Sequence, residues 1–216
     1  MRITATLAAL GLGLAAASAS AEVATFNGTG MGPIPDAPAG APSCGVDNLG
    51  EPRVISFDVN GLQYPVVAVK LSMNIVHSWR GDLVVKLAAP GGSPSKIIFS
   101  HTGSNVPNGC GHDGDLNGEY KFSDDALRGW WAWASPVVPP ETYRAATPGG
   151  VQPGGVPAII SEAFKGVPPS QANGTWTLTF WDAGDGGTGT VNGATLTIDH
   201  TDQLFKWGFE VIPTTP

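Results

Sequence analysis

A chain of 216 residues with 42% hydrophobic content has room for one all-β domain and little for a second core. Its 30 glycines and 19 prolines punctuate short apolar runs, which points to a sandwich and away from disorder. A formal net charge of -7 excludes a nucleic-acid partner, because phosphate binding needs clustered Lys and Arg.

In chain order, residues 1–21 read as a secretory signal. Arg2 supplies the charge, an Ala- and Gly-rich apolar run follows, and Ala19, Ser20 and Ala21 form a small-residue cleavage site before Glu22. A membrane anchor fits less well, since the run is short for the ~20 residues that a span needs. The mature chain is therefore expected to be secreted or periplasmic, without a membrane span. Residues 22–52 read as a Gly/Pro-rich arm carrying Cys44. Strands are expected at 54–59, 66–77, 83–88 and 97–100, then a long loop to Gly118 and a short strand at 119–122. A Trp-rich stretch follows with Trp130, Trp131 and Trp133, and residues 135–155 read as an ordered surface loop without regular structure. Two last strands close a sandwich expected over residues 53–200. Residues 201–216 fit either a tail or an extra edge strand carrying Leu204, Phe205, Trp207 and Phe209.

Two segments carry the clearest pattern. In the first, Val67, Val69, Leu71, Met73 and Ile75 alternate with other residues, and Leu83, Val85 and Leu87 resume the alternation after a turn. In the second, Trp176, Leu178 and Phe180 form one face, 182–187 turns the chain, and Ala194, Leu196 and Ile198 return. A period of two is what a strand with one buried face requires. Each segment is expected to form an antiparallel hairpin.

The residues in and around these segments resemble the P domain, or Homo B domain, which follows the subtilisin-like catalytic domain in kexin- and furin-type proprotein convertases. The resemblance rests on His77, Gly81, Asp82, Leu83, Leu87, Pro90 and Gly91, then Gly174, Trp176, Leu178, Asp182, Gly189 and Leu196. The phrases FSDDA and NGTWTL are similar to bacterial versions. It implies an antiparallel, jelly-roll-like β-sandwich of about eight strands and essentially no long helix. It also implies a non-catalytic accessory role toward a protein partner, which in the family is a serine protease.

The sharpest local motif places Asp113, Asp115, Asn117, Glu119 and Asp124 at EF-hand-like spacing, with Gly118 where the chain must turn and Asp125 as an alternative ligand. Calcium favours such oxygen-rich clusters; a solvated acidic turn is the other reading. Two facts weaken an EF-hand proper: no helix can enter this loop through Pro107, Gly109 and Gly111, and the last ligand would be Asp124, shorter than the usual bidentate Glu. A second acidic turn, from Asp182, reads as a tight turn more than an ion site. Asp82 closes an Arg-Gly-Asp triplet, yet at the start of a strand its carboxylate is expected to accept backbone N–H bonds. In an oxidising compartment Cys44 and Cys110 are expected to pair. The histidines His77, His101, His112 and His200 have no nucleophile phrase beside them, so no catalytic residue is assigned. Trp130, Trp131 and Trp133 support a competing function, stacking on sugar rings in a carbohydrate- or cell-surface-binding module.

Overall fold

The computed structural model describes residues 22–40, 49–104, 109–132, 136–147 and 156–201. Residues 1–21, where a secretory signal is expected, Cys44, Trp133 and residues 202–216 lie outside the described residues.

The described residues form twelve strands and two short helices. The strands are β1 (Glu22–Thr29), β2 (Gly32–Ile34), β3 (Arg53–Val59), β4 (Val66–His77), β5 (Leu83–Ala88), β6 (Ser95–Ser100), β7 (Leu116–Phe122), β8 (Arg128–Gly129), β9 (Thr142–Thr147), β10 (Val156–Ala158), β11 (Gly174–Asp182) and β12 (Gly189–His200). The helices are α1 (Ile160–Phe164) and α2 (Pro169–Ala172). The fold is all-β and sandwich-like, as expected, with more strands than the eight or so read from the sequence.

Alternation places the core. Leu71, Met73 and Ile75 of β4 face inward together with Leu196 and Ile198 of β12. Leu83, Val85 and Leu87 of β5 do so with Trp176, Leu178 and Phe180 of β11 and with Ile55 and Phe57 of β3. In β12 the buried Val191 and Ala194 are an odd number of residues apart, and an irregularity in register between Val191 and Gly193 keeps both inward.

The expected hairpins are not hairpins. β4 pairs with β12 and β7, whereas β5 pairs with β11 and β6. Each segment therefore crosses from one sheet to the other at its turn, and the two segments pair with each other. Alternation dictates which face of a strand is buried, but it does not name the partner.

Two strands close the sides of the sandwich. The first part of β1 pairs with β12, and its last two residues, Gly28 and Thr29, pair with Phe57 and Ser56 of β3. The segment read as an irregular arm is thus a strand that bridges the sheets. β9 does the same opposite, parallel to β6 at Ala146 and to β7 at Thr142 and Tyr143. It lies within residues expected to lack regular structure. Bridging both sides removes long free edges, which would otherwise recruit strands from other chains.

Candidate functional site

The two sheet-crossing turns meet at one end of the sandwich. One is a 3₁₀ turn, Arg80–Asp82, between β4 and β5; the other is the 183–188 turn between β11 and β12. The register brings them together, since His77 lies opposite Gly189 and Leu83 opposite Asp182. Backbone bonds fasten them: Ala183 N–H donates to the Asp82 carbonyl at 2.9 Å and Ser78 N–H to the Thr188 carbonyl at 3.2 Å.

Between the turns lies a buried polar cluster. His77 Nε2 and Asp182 Oδ2 are 2.9 Å apart with both side chains fully buried. Trp79 N–H donates to His77 Nδ1 at 3.1 Å, which assigns the proton of the ring to Nε2 and the donated bond to Asp182. The other carboxylate oxygen of Asp182 accepts from Gly184 N–H at 3.0 Å. His77 and Asp182 look like the base and orienter of a hydrolase, but the backbone N–H occupies the lone pair that a nucleophile would use. His77 is held as a strut rather than offered as a base.

Two straps cover the corner. Gly50 N–H donates to the Asp182 carbonyl at 2.7 Å, Gly186 N–H to Asp36 Oδ2 at 3.1 Å and Gly40 N–H to Asp185 Oδ2 at 2.6 Å, tying the segments around 34–40 and Gly50 to the 183–188 turn. On the other side, Arg80 N–H donates to the Gly114 carbonyl, Gly81 N–H to the His112 carbonyl and Trp79 Nε1–H to the Cys110 carbonyl, at 2.7–2.9 Å. Glycine is required at 81, where a Cβ would overlap the Cys110 carbonyl oxygen.

The Arg-Gly-Asp triplet is buried throughout, so it presents no adhesion motif. The Arg80 guanidinium lies 5.7 Å from the Trp130 ring centre and donates to the Trp130 carbonyl at 3.3 Å. Burial lowers its pKa to about 10, offset in part by Tyr143, Tyr120 and Asp113. Asp82 differs from the expectation that its carboxylate accepts backbone N–H bonds. Its carbonyl does the bridging, while its carboxyl is 5% exposed with a buried, unpartnered Oδ1.

The acidic run is not brought together. Asn117 and Glu119 stand in β7, paired along its length with β4. An extended strand rises about 3.3 Å per residue, so β7 alone holds the two ends of the run roughly 20 Å apart. Glu119 accepts from Ser72 Oγ at 2.7 Å and pairs with Lys121 at 3.4 Å, and Asp115 is bridged through its backbone to Pro136 and Val138. Asp113 is exposed, and Asp125 N–H bonds Ser123 Oγ. Both oxygens of Asp124 accept from the start of α1, from Ile160 N–H at 2.7 Å and Ser161 N–H at 3.0 Å. Among the described residues, no group of three or more His, Cys, Asp or Glu side chains is placed to hold a metal ion.

The aromatic platform expected at Trp130 and Trp131 is corrected by their burial. Trp130 is fully buried, packs at a tilt against Phe99 at 4.6 Å and Phe122 at 5.1 Å, meets Tyr120 and Tyr143 edge-on, and donates to Thr102 Oγ1 at 2.8 Å. Trp131 is also buried. A stacking surface needs an open ring face, and neither residue offers one. Trp176 is a core residue that donates to the Ala172 carbonyl at 2.7 Å.

The stretch with His77, the crossing turn and the Trp130 core decides the comparison. Residues 66–132 match the proprotein convertase P-domain. The match covers β4 to β8 and all of the first corner, so His77, Gly81, Asp82 and Leu83, which build a sheet crossing, fall within the matched segment. The chain is also similar to a solved structure, the complex of Aeromonas sobria serine protease (ASP) with the chaperone ORF2. The TM-score is 0.44 and the identity 17%, over 84% of this chain and 26% of that one. No curated protein matches. None of the helices among the described residues is long and apolar enough to cross a membrane.

Proposed function

We propose that this chain is a secreted, non-catalytic P-domain-like module that binds and stabilises a protein partner, a subtilisin-like serine protease being the partner class. The observation that carries it is the P-domain match over residues 66–132. The geometry supports the same reading: the polar residues of the matched segment are spent on joining two sheets, with His77 closed to a nucleophile. Export after cleavage near Ala21 and a disulfide between Cys44 and Cys110 belong to the proposal. Supporting the disulfide, the chain contains two cysteines and no described cysteine is a free thiol. Such a bridge would tie the strap over Arg80–Asp82 to the segment between Gly40 and Gly50, and is worth roughly 4 kcal/mol on chain-entropy grounds.

The test is a titration of the purified, exported chain against subtilisin-like serine proteases exported by the same source, read by calorimetry and by the melting temperature of the protease. A complex that raises the melting temperature of the protease supports the proposal. No complex with any of them, together with turnover of peptide or ester substrates by the chain itself, overturns it. Calcium enters the proposal as a candidate ligand. Bound ion and a raised melting temperature on calcium titration would keep it, with donors other than the dispersed 113–125 set; no ion bound removes it.

A further inference from the structure

The hydrogen-bond network of the corner leaves the Asp82 carboxyl out. Its Oδ1 is buried without a partner, and the side chain sits against Gly184 and Gly187 of the turn, where a Cβ at 184 would overlap the carboxyl. Three titratable groups face it. From β11 comes Asp182, whose oxygens are already taken by His77 and Gly184. From the end of β4 comes His77, held as the tautomer that donates to Asp182. From the segment after β2 comes Asp36, whose Oδ2 accepts from Gly186 and whose Oδ1 is itself buried and unpartnered. Arg80, the cation nearest in sequence, directs its guanidinium to Trp130.

A carboxylate at this place would be a buried charge with two acids for neighbours and no donor of its own. A carboxylic acid is neutral there, and its O–H is a donor among acceptor oxygens. We propose that the corner is a pH-sensitive latch: protonated Asp82 lets the 183–188 turn and the 34–40 segment close over Arg80–Asp82, and loss of that proton loosens both. Burial first and then Asp182 push the Asp82 pKa up to about 7 against an opposing effect of His77, with Asp36 adding the smallest push. The latch thus operates around neutrality, where an ordinary carboxyl is fully ionised.

The Asp82 carboxyl carbon can be followed by NMR in the full exported chain, together with amide exchange at Gly40, Gly50 and Gly186, whose N–H groups tie the strap to the 183–188 turn, and at Gly184, whose N–H holds the turn to Asp182. The carboxyl is expected to titrate near 7. Protection of the four amides, corrected for intrinsic exchange, is expected to fall on the order of tenfold from about pH 5.5 to about pH 8.5, and to stay level in Asp82→Asn. A carboxyl midpoint below about 5, or an equal loss of protection in Asp82→Asn, overturns the latch. Should that variant fail to fold, the carboxyl midpoint in the unaltered chain decides alone.

Discussion

Asp82 also controls global stability, with a sign that the structure dictates. Its pKa rises from 3.8 to about 7 on folding. Between those values the native state keeps a proton that the unfolded chain has released, so raising the pH through the window favours unfolding. The stabilisation is complete below the unfolded value and gone once the pH exceeds about 7. A shift of roughly three units at 1.36 kcal/mol each puts the swing at about 4 kcal/mol. That figure is an upper bound, because solvent screening at the second carboxyl oxygen takes part of it away. Burial lowers the pKa of His101 and His112, which works the other way: stability tied to them is present above the ordinary imidazole value and is lost as the pH falls through it. Both histidines remain in Asp82→Asn, so a difference between variants removes them. The Asn side chain keeps the shape of the acid and cannot ionise. Urea unfolding followed by tryptophan fluorescence should find the two proteins within about 1 kcal/mol at pH 5, and Asp82→Asn gaining about 2 kcal/mol on the unaltered chain between pH 5 and pH 8.5, since pH 5 already lies above the unfolded value. The reasoning fails if the difference between them is the same at both pH values.

Three further outcomes follow from the packing. Trp130→Ala should cost about 3–5 kcal/mol in urea unfolding, because it empties the middle of the Phe99, Tyr120, Phe122 and Tyr143 cluster and strips Arg80 of its ring. Asp124→Ala should cost about 1–2 kcal/mol of thermal stability through the loss of two bonds at the start of α1, with β4 and β7 amides unchanged in NMR spectra. Gly184→Ala should cost about 1–3 kcal/mol and shift the Asp82 carboxyl resonance, since the added methyl must displace that side chain or the turn.

The buried faces of β4, β5, β11 and β12 are legible in the sequence because a period of two states them outright. Their pairing is not, because the same pattern serves a hairpin and a sheet crossing alike. The difference lies in the connection. A hairpin turn exposes its residues, whereas the 80–82 turn buries an arginine beneath two straps, and both straps come from distant parts of the chain. β1 and β9 left weaker marks. Val23 of β1 is exposed, and β9 reads TYRAAT, so neither displays the apolar alternation of a core strand. Both exist because they complete ladders on β12 and β3, or on β6 and β7. Ladder bonds depend on backbone positions that composition does not encode.

Sequence alone shows the acidic run and the Trp130–Trp131 pair without their tertiary partners, and those partners locate the chemistry. Ligand spacing assumes a chain free to curl around an ion, and an aromatic platform assumes an open ring face; pairing with β4 extends β7, and the Phe99, Tyr120, Phe122 and Tyr143 rings with Arg80 cover Trp130. What the sequence does mark, at His77, Asp82 and Asp182, are polar residues at the ends of strands in two distant segments. Separately each reads as a turn. Only the β4–β12 and β5–β11 pairings bring the turns face to face, and only then does Asp82 become a buried acid without a donor. If Asp82 served only to make a turn, Asp82→Asn should be silent at every pH; a pH-dependent difference shows that its buried proton is coupled to the closure of the corner.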